Sequence, residues 1–344
     1  DGVAATRSKV LTVPAVDAGA AKVVEPEITD LGPRPKPNTA EIVPFAIAMR
    51  YQTQQMVVWW LDRMAASDHG LTERMTWFWH GHWATSVDKL NYALPMFKQN
   101  KTLRATCLGN FATMTKAMLN DGALQFWLDG QDNTLKAPNE NLGRELMELF
   151  TLGVGRYSED DVKSISRALT GYQVERSNGT VTINQARRDK NPVTLLGTTA
   201  VFTGDTLSDF LVARDDSAQF VAERLWYRFI SSTEDMPATF AAKKAFAARD
   251  ISAAVTAMAN DSVMRDEKFA MVKSPVEWFI SACRALELTP SQLKTPAQMI
   301  NFLEKLGQVP FYPPNVGGWP AGEAWLSSAT VQYRITFATW LIKQ

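Results

Sequence analysis

The sequence predicts a mostly α, multi-helix orthogonal bundle with one small β-hairpin insertion. Three observations carry this. Apolar residues recur at three-, four- and seven-residue spacings through most of the chain, as in Met49, Met56, Val57, Trp60 and Leu61. Helix-start and helix-stop residues punctuate those runs, among them Ser158-Glu-Asp-Asp161 and the glycines at 153 and 155. Strand-like alternation is confined to one stretch around Ser177-Asn-Gly179, and Asn-Gly between alternating runs is a strong hairpin signal.

In order, residues 1–40 read as an extended or disordered strap, because Leu31-Gly-Pro-Arg-Pro-Lys-Pro37 cannot be helical. Residues 41–344 read as a single helical domain. Helices are expected over 41–66, 71–79, 100–120 and 123–128, with a polar loop at 129–137. A central helix starts at Pro138-Asn139 and stops at Gly153, and the helix opened by Ser158 ends at Gly171. A β excursion fills about 172–203. Helices then return at 207–212, 217–230, 240–247, 251–259, 275–286 and 296–306. The loop Pro310-Phe-Tyr-Pro-Pro-Asn-Val-Gly-Gly-Trp-Pro320 precedes a last helix over 323–344.

Composition narrows the function. The 344 residues are 46% apolar and 21% charged, the balance of a globular protein with a sizeable core. Basic and acidic residues number 36 each, which argues against a nucleic-acid binder, since phosphate contacts need a basic excess. Two cysteines, Cys107 and Cys283, allow one disulfide at most and no thiolate zinc site. No apolar run approaches the roughly 18–20 residues of a membrane span.

Two stretches hold the residues able to do chemistry. On a wheel of about 100° per residue, Leu142, Leu146, Leu149 and Phe150 form the buried stripe of the central helix, and Asn141, Glu145 and Glu148 border it. Carboxylates at a core edge are costly unless paired, protonated or bound to a cation. The blander expectation pairs them with Arg144 or Arg167. His80 and His82 lie in Trp77-Phe-Trp-His-Gly-His-Trp83 and diverge by about 200° on a regular helix, so one metal reaches both only if Gly81 breaks it. With Glu145 they would make an imidazole and carboxylate set for one divalent ion such as zinc, iron or manganese. Without a metal, Glu145 and Glu148 would divide acid and base roles. Packing among the aromatics is the alternative for both histidines. The Trp319 loop either presents Trp319 and Asn315, with Asn141, to a substrate, or latches Trp319 into a core hole, and the latch is favoured.

Taken together these motifs resemble the bacterial domain of unknown function 1800 family. The similarity runs from Phe78-Trp-His-Gly-His-Trp83 through Asn139-Glu-Asn-Leu-Gly-Arg-Glu-Leu-Met-Glu-Leu-Phe-Thr-Leu-Gly153 and Lys273-Ser-Pro-Val-Glu277 to Pro313-Pro-Asn-Val-Gly-Gly-Trp-Pro320. The resemblance implies a largely helical bacterial protein, often exported (periplasmic, cell-surface or extracellular) and often encoded beside an exported phosphatase-like protein. Arg188 stands where such sequences usually carry a histidine. Two functions follow as expectations. One is an envelope-associated enzyme, a hydrolase acting on an envelope polymer through the His/Glu site. The other is a non-catalytic envelope scaffold or binding protein in which the same residues form a buried polar network.

Overall fold

Helix formation along the chain follows the capping chemistry. Ser158 accepts from the Asp161 amide while Asp161 reaches back to the Ser158 amide, and the Glu159–Ala168 helix opens on that reciprocal box. Asn110 caps Phe111–Leu119, Asp121 caps Gly122–Trp127 and Ser327 caps Ser328–Leu341, each through a side-chain oxygen. The computed structural model describes residues 2–344, and among them helices dominate, with two small antiparallel hairpins. Asp1 of the expected strap lies outside the described residues.

The β excursion falls inside its expected range and holds two hairpins. Tyr172–Glu175 pairs with Thr180–Ile183, Tyr172 opposite Ile183. Its turn closes through the Gly179 amide on the Glu175 carbonyl. Val193–Leu195 pairs with Thr198–Ala200 across Leu196-Gly197, both at positive φ as a two-residue primed turn requires. Leucine is a poor choice there, and its amide is held by Asp161 Oδ1 at 2.6 Å.

Several elements differ from expectation, and the last helix starts at Ser328, after a separate turn over Gly322–Trp325. The run 100–120 is two helices, Ala93–Thr106 and Phe111–Leu119, because Asn110 turns its side chain onto the Ala112 and Thr113 amides and starts a new helix. The central segment is α-helical only over Asn141–Glu145 and then widens to a π-helix over Leu146–Thr151. Within residues 1–40, Val3–Leu11 and Ala18–Ala21 are helical. The second is capped by Asp17, whose carboxylate also takes the Ser67 hydroxyl and the Asp68 and His69 amides. The rest of this segment is a strap: Gly32 receives the Tyr92 hydroxyl on its carbonyl, and Glu25 pairs with Lys101.

Two hydrophobic clusters form the interior. The larger holds Trp79, Trp83, Phe111, Phe150 and Leu225. The smaller gathers Trp60, Phe279, Phe311 and Phe337. The Leu71–His82 helix lies between them, giving Met75, Phe78 and Trp79 to the first and packing Trp77 against the second. Cys107 and Cys283 are free and buried, one in each cluster. No helix among the described residues is long and apolar enough to cross a membrane.

Candidate functional site

The Leu71–His82 helix runs unbroken through Gly81. The break that a metal shared by both histidines would need is absent, and His80 and His82 diverge to different parts of the molecule, as their spacing on a regular helix requires. His80 Nε2 accepts the Phe311 amide at 3.0 Å. His82 Nε2 sits 2.9 Å from the Phe150 carbonyl and, since a carbonyl only accepts, carries the proton. The two rings thus adopt opposite tautomers, Nδ1–H for His80 and Nε2–H for His82. Burial depresses both to about 3, and the Arg224 charge adds to this at His82.

Each histidine has a structural consequence. Phe311 is at φ +70°, a strained conformation for a bulky residue, and is pinned by His80 on its amide and by the Val87 amide on its carbonyl. Phe150 lies in the last turn of the central helix, where carbonyls lack partners within the helix, and His82 supplies one. Both Nε2 atoms are spent on backbone groups, while His82 Nδ1 is buried without a hydrogen-bond partner. The set His80, His82 and Glu145 does not converge, and no group of three His, Cys, Asp or Glu side chains placed to hold a metal occurs among the described residues.

What Gly81 provides is contact. A Cβ on Gly318, itself at φ +79°, would stand 2.1 Å from the Gly81 carbonyl oxygen, and one on Gly81 would lie 3.4 Å from the Arg228 guanidinium. The Pro310–Pro320 loop therefore lies backbone to backbone on the helix at this glycine pair. Trp319 is 3% exposed and stacks on Trp77, with centroids 5.0 Å apart and planes at 23°. That is the latch arrangement. Gly318→Ala is expected to cost about 2 kcal/mol or more and to undock Trp319, since a backbone oxygen cannot yield to a methyl and φ is positive. A blue shift of tryptophan fluorescence or an unchanged urea midpoint would refute this.

The carboxylates occupy a separate place. Glu145 and Glu148 are half-buried, and neither has an ion pair among the described residues. Arg144 instead bridges Glu140 and Glu159, and Arg167 pairs with Asp189, so the expected arginine partners are engaged elsewhere. Burial, then the neighbouring Glu148 charge, raises the Glu145 carboxyl above its ordinary range. Glu148 accepts the Tyr157 hydroxyl, and burial with that bond pushes Tyr157 up to about 12. Asn141 donates to Asp129, and Asn315 caps its own turn on the Gly317 amide. These two do not join Trp319 in one site. Arg188 packs over Gly171 and donates to the Phe202 carbonyl.

A cavity of about 90 Å³ opens instead where the motifs of both chain halves meet. Its walls include Trp77 and Gly81, Arg228 of the Asp215–Phe229 helix, Lys273 and Glu277, and Trp319. Glu277 Oε1 binds Arg74 at 3.1 Å, and its Oε2 takes the Ser274 amide. Arg228 donates to the Trp319 and Pro320 carbonyls, fastening the loop from below. Burial, then the adjacent Arg224 charge, lowers Arg228 to about 10. Sequence reasoning missed Arg228. Its one signal was a cation at four-residue spacing from Arg224 on a helix that is otherwise apolar on its inner face.

The chain belongs to the family described as protein of unknown function (DUF1800), which it matches over residues 13–344. No curated protein and no solved structure matches it.

Proposed function

We propose that this member of the DUF1800 family is a non-catalytic binding protein of the bacterial envelope that engages an envelope polymer at the Trp77–Trp319 cavity. The carrying observation is the state of the histidines: both are buried and neutral, with the Nε2 atoms of each already committed to backbone groups. Imidazoles so placed fix packing and do not turn over a substrate. Export, and a phosphatase-like partner outside the cell membrane, remain part of this reading through the family resemblance.

An acid/base hydrolase is the second reading. It is favoured by the raised Glu145 carboxyl next to Glu148, which accepts the Tyr157 hydroxyl, so that two neighbouring carboxyl groups sit in different surroundings.

One experiment separates them. The protein is incubated with purified bacterial cell-wall sacculi, and both the pelleted protein and the soluble fragments released are measured. Wild type and Glu145→Gln/Glu148→Gln are expected to pellet equally and to release nothing. Trp77→Ala is expected to bind about tenfold more weakly, as loss of an aromatic anchor does. Fragment release that disappears in the double glutamine variant would establish the hydrolase and end the binding reading.

A further inference from the structure

The Trp319 cavity is rich in donors and poor in acceptors. Its carboxylate, Glu277, is spent on Arg74 and on the Ser274 amide. Arg228 is half-buried with no carboxylate partner among the described residues, and its bonds go to neutral carbonyls. Trp319 Nε1 is buried and unpartnered, in a side chain that is 3% exposed. Gln308 commits Oε1 to the Val276 amide, which leaves its amide N–H groups as donors at the wall. Lys273 is exposed at the rim, donating only to Ser281.

With Arg74 and Glu277 cancelling, the cavity keeps the charges of Arg228 and Lys273, and an orphaned buried donor is costly until an acceptor meets it. We propose that this cavity binds a small oxyanion, a carboxylate or phosphate group borne by the ligand, with Arg228 and Lys273 supplying charge and the Trp319 indole N–H and Gln308 supplying neutral donors. About 90 Å³ accommodates one such group and not a whole sugar ring, so the rest of the ligand lies outside, against the half-buried face of Trp77. The inference rests on the binding reading above by naming the chemical group recognised there.

The test titrates inorganic phosphate and, separately, sodium acetate into the protein at ionic strength held constant with chloride. The readout is the Trp319 indole N–H resonance, assigned with Trp319→Phe. A saturable shift with either anion is expected, and the anion that binds more tightly identifies the source as phosphate or carboxylate. Lys273→Gln should weaken it about tenfold, the loss of one charge-assisted contact of about 1.4 kcal/mol. Glu277→Gln should tighten it by freeing Arg74. No saturation, a shift equal in chloride alone, or indifference to Lys273→Gln overturns the oxyanion site. If that happens while sacculus binding still depends on Trp77, the binding reading stands. If anions bind normally but sacculi do not, the reading fails and the anion site survives.

Discussion

Replacing Glu73 with alanine is expected to remove about 3–5 kcal/mol of stability, the cost of breaking a buried ion pair from one side. Glu73 opens the Leu71–His82 helix and is 4% exposed. Its Oε1 accepts Arg104 Nε at 2.8 Å and Arg63 Nε at 3.1 Å. Its Oε2 accepts Arg104 Nη2 at 3.0 Å and Trp60 Nε1 at 2.9 Å. Four donors therefore converge on one carboxylate, and Arg104 meets it bidentately. Alanine would leave two guanidinium groups, at 18% and 13% side-chain exposure, facing each other beside a buried indole. Glutamine keeps the shape but loses the charge, and should fall between the two.

Urea midpoints at neutral pH check this. A loss under about 1 kcal/mol for the alanine variant would place the cluster with ordinary surface pairs and sink the argument. Burial pushes the Glu73 carboxyl up, but the Arg104 bond and the Arg104 and Arg63 charges outweigh it and hold it below its usual range. With the folded value depressed, the stabilisation is present at neutral pH. It is lost as acidification passes the folded value.

Much of the fold was legible because capping and turn chemistry act over a few residues. Ser158 with Asp161, and Asn178 with Gly179, specify their helix start and hairpin whatever surrounds them. Trp319 was legible as a latch because a tryptophan between stiff prolines and permissive glycines is a shape that fills a hole. What periodicity cannot give is the partner across a packed face. The Asn110 cap looked like one more polar residue in a helical run. A wheel drawn at about 100° per residue could not show the π-helix that carries Glu148.

The candidate site shows the same limit. Spacing established that His80 and His82 diverge unless Gly81 intervenes, and that geometry held; the purpose of Gly81 was hidden because its neighbour, Gly318, is far away in the chain. Likewise, Arg144 and Arg167 were the partners expected for Glu145 and Glu148, yet Glu159 and Asp189 claim them through tertiary packing. The motifs therefore marked where the molecule is constrained. Their contacts decide which constraints are structural and which face a ligand.

Both buried histidines are expected to remain neutral from about pH 8 to pH 5, with opposite tautomers, and folding should weaken on acidification because of them. Each stands at about 3 in the folded protein against an ordinary 6.5. Because the folded value is depressed, their stabilisation is complete above 6.5. Each then loses about 1.4 kcal/mol per pH unit below it, as the unfolded chain takes up protons that the folded chain refuses. At about pH 4.5 the pair together withdraws roughly 5 kcal/mol.

Asp121 acts in the opposite sense. Burial raises it to about 6, so acidification to the same pH returns about 2 kcal/mol and leaves a net loss near 3. Nitrogen-edited NMR of the imidazole rings reads the tautomers directly, with the unprotonated nitrogen at Nε2 of His80 and at Nδ1 of His82. His82→Gln, which keeps a donor toward the Phe150 carbonyl, should flatten the acid slope by one proton. A ring that titrates near 6.5, or one whose resonance moves when zinc is offered, would return that histidine to the candidates for chemistry. Rings that stay neutral and unmoved keep both histidines in their structural role and leave the proposed anion site at Trp319 to be tested on its own.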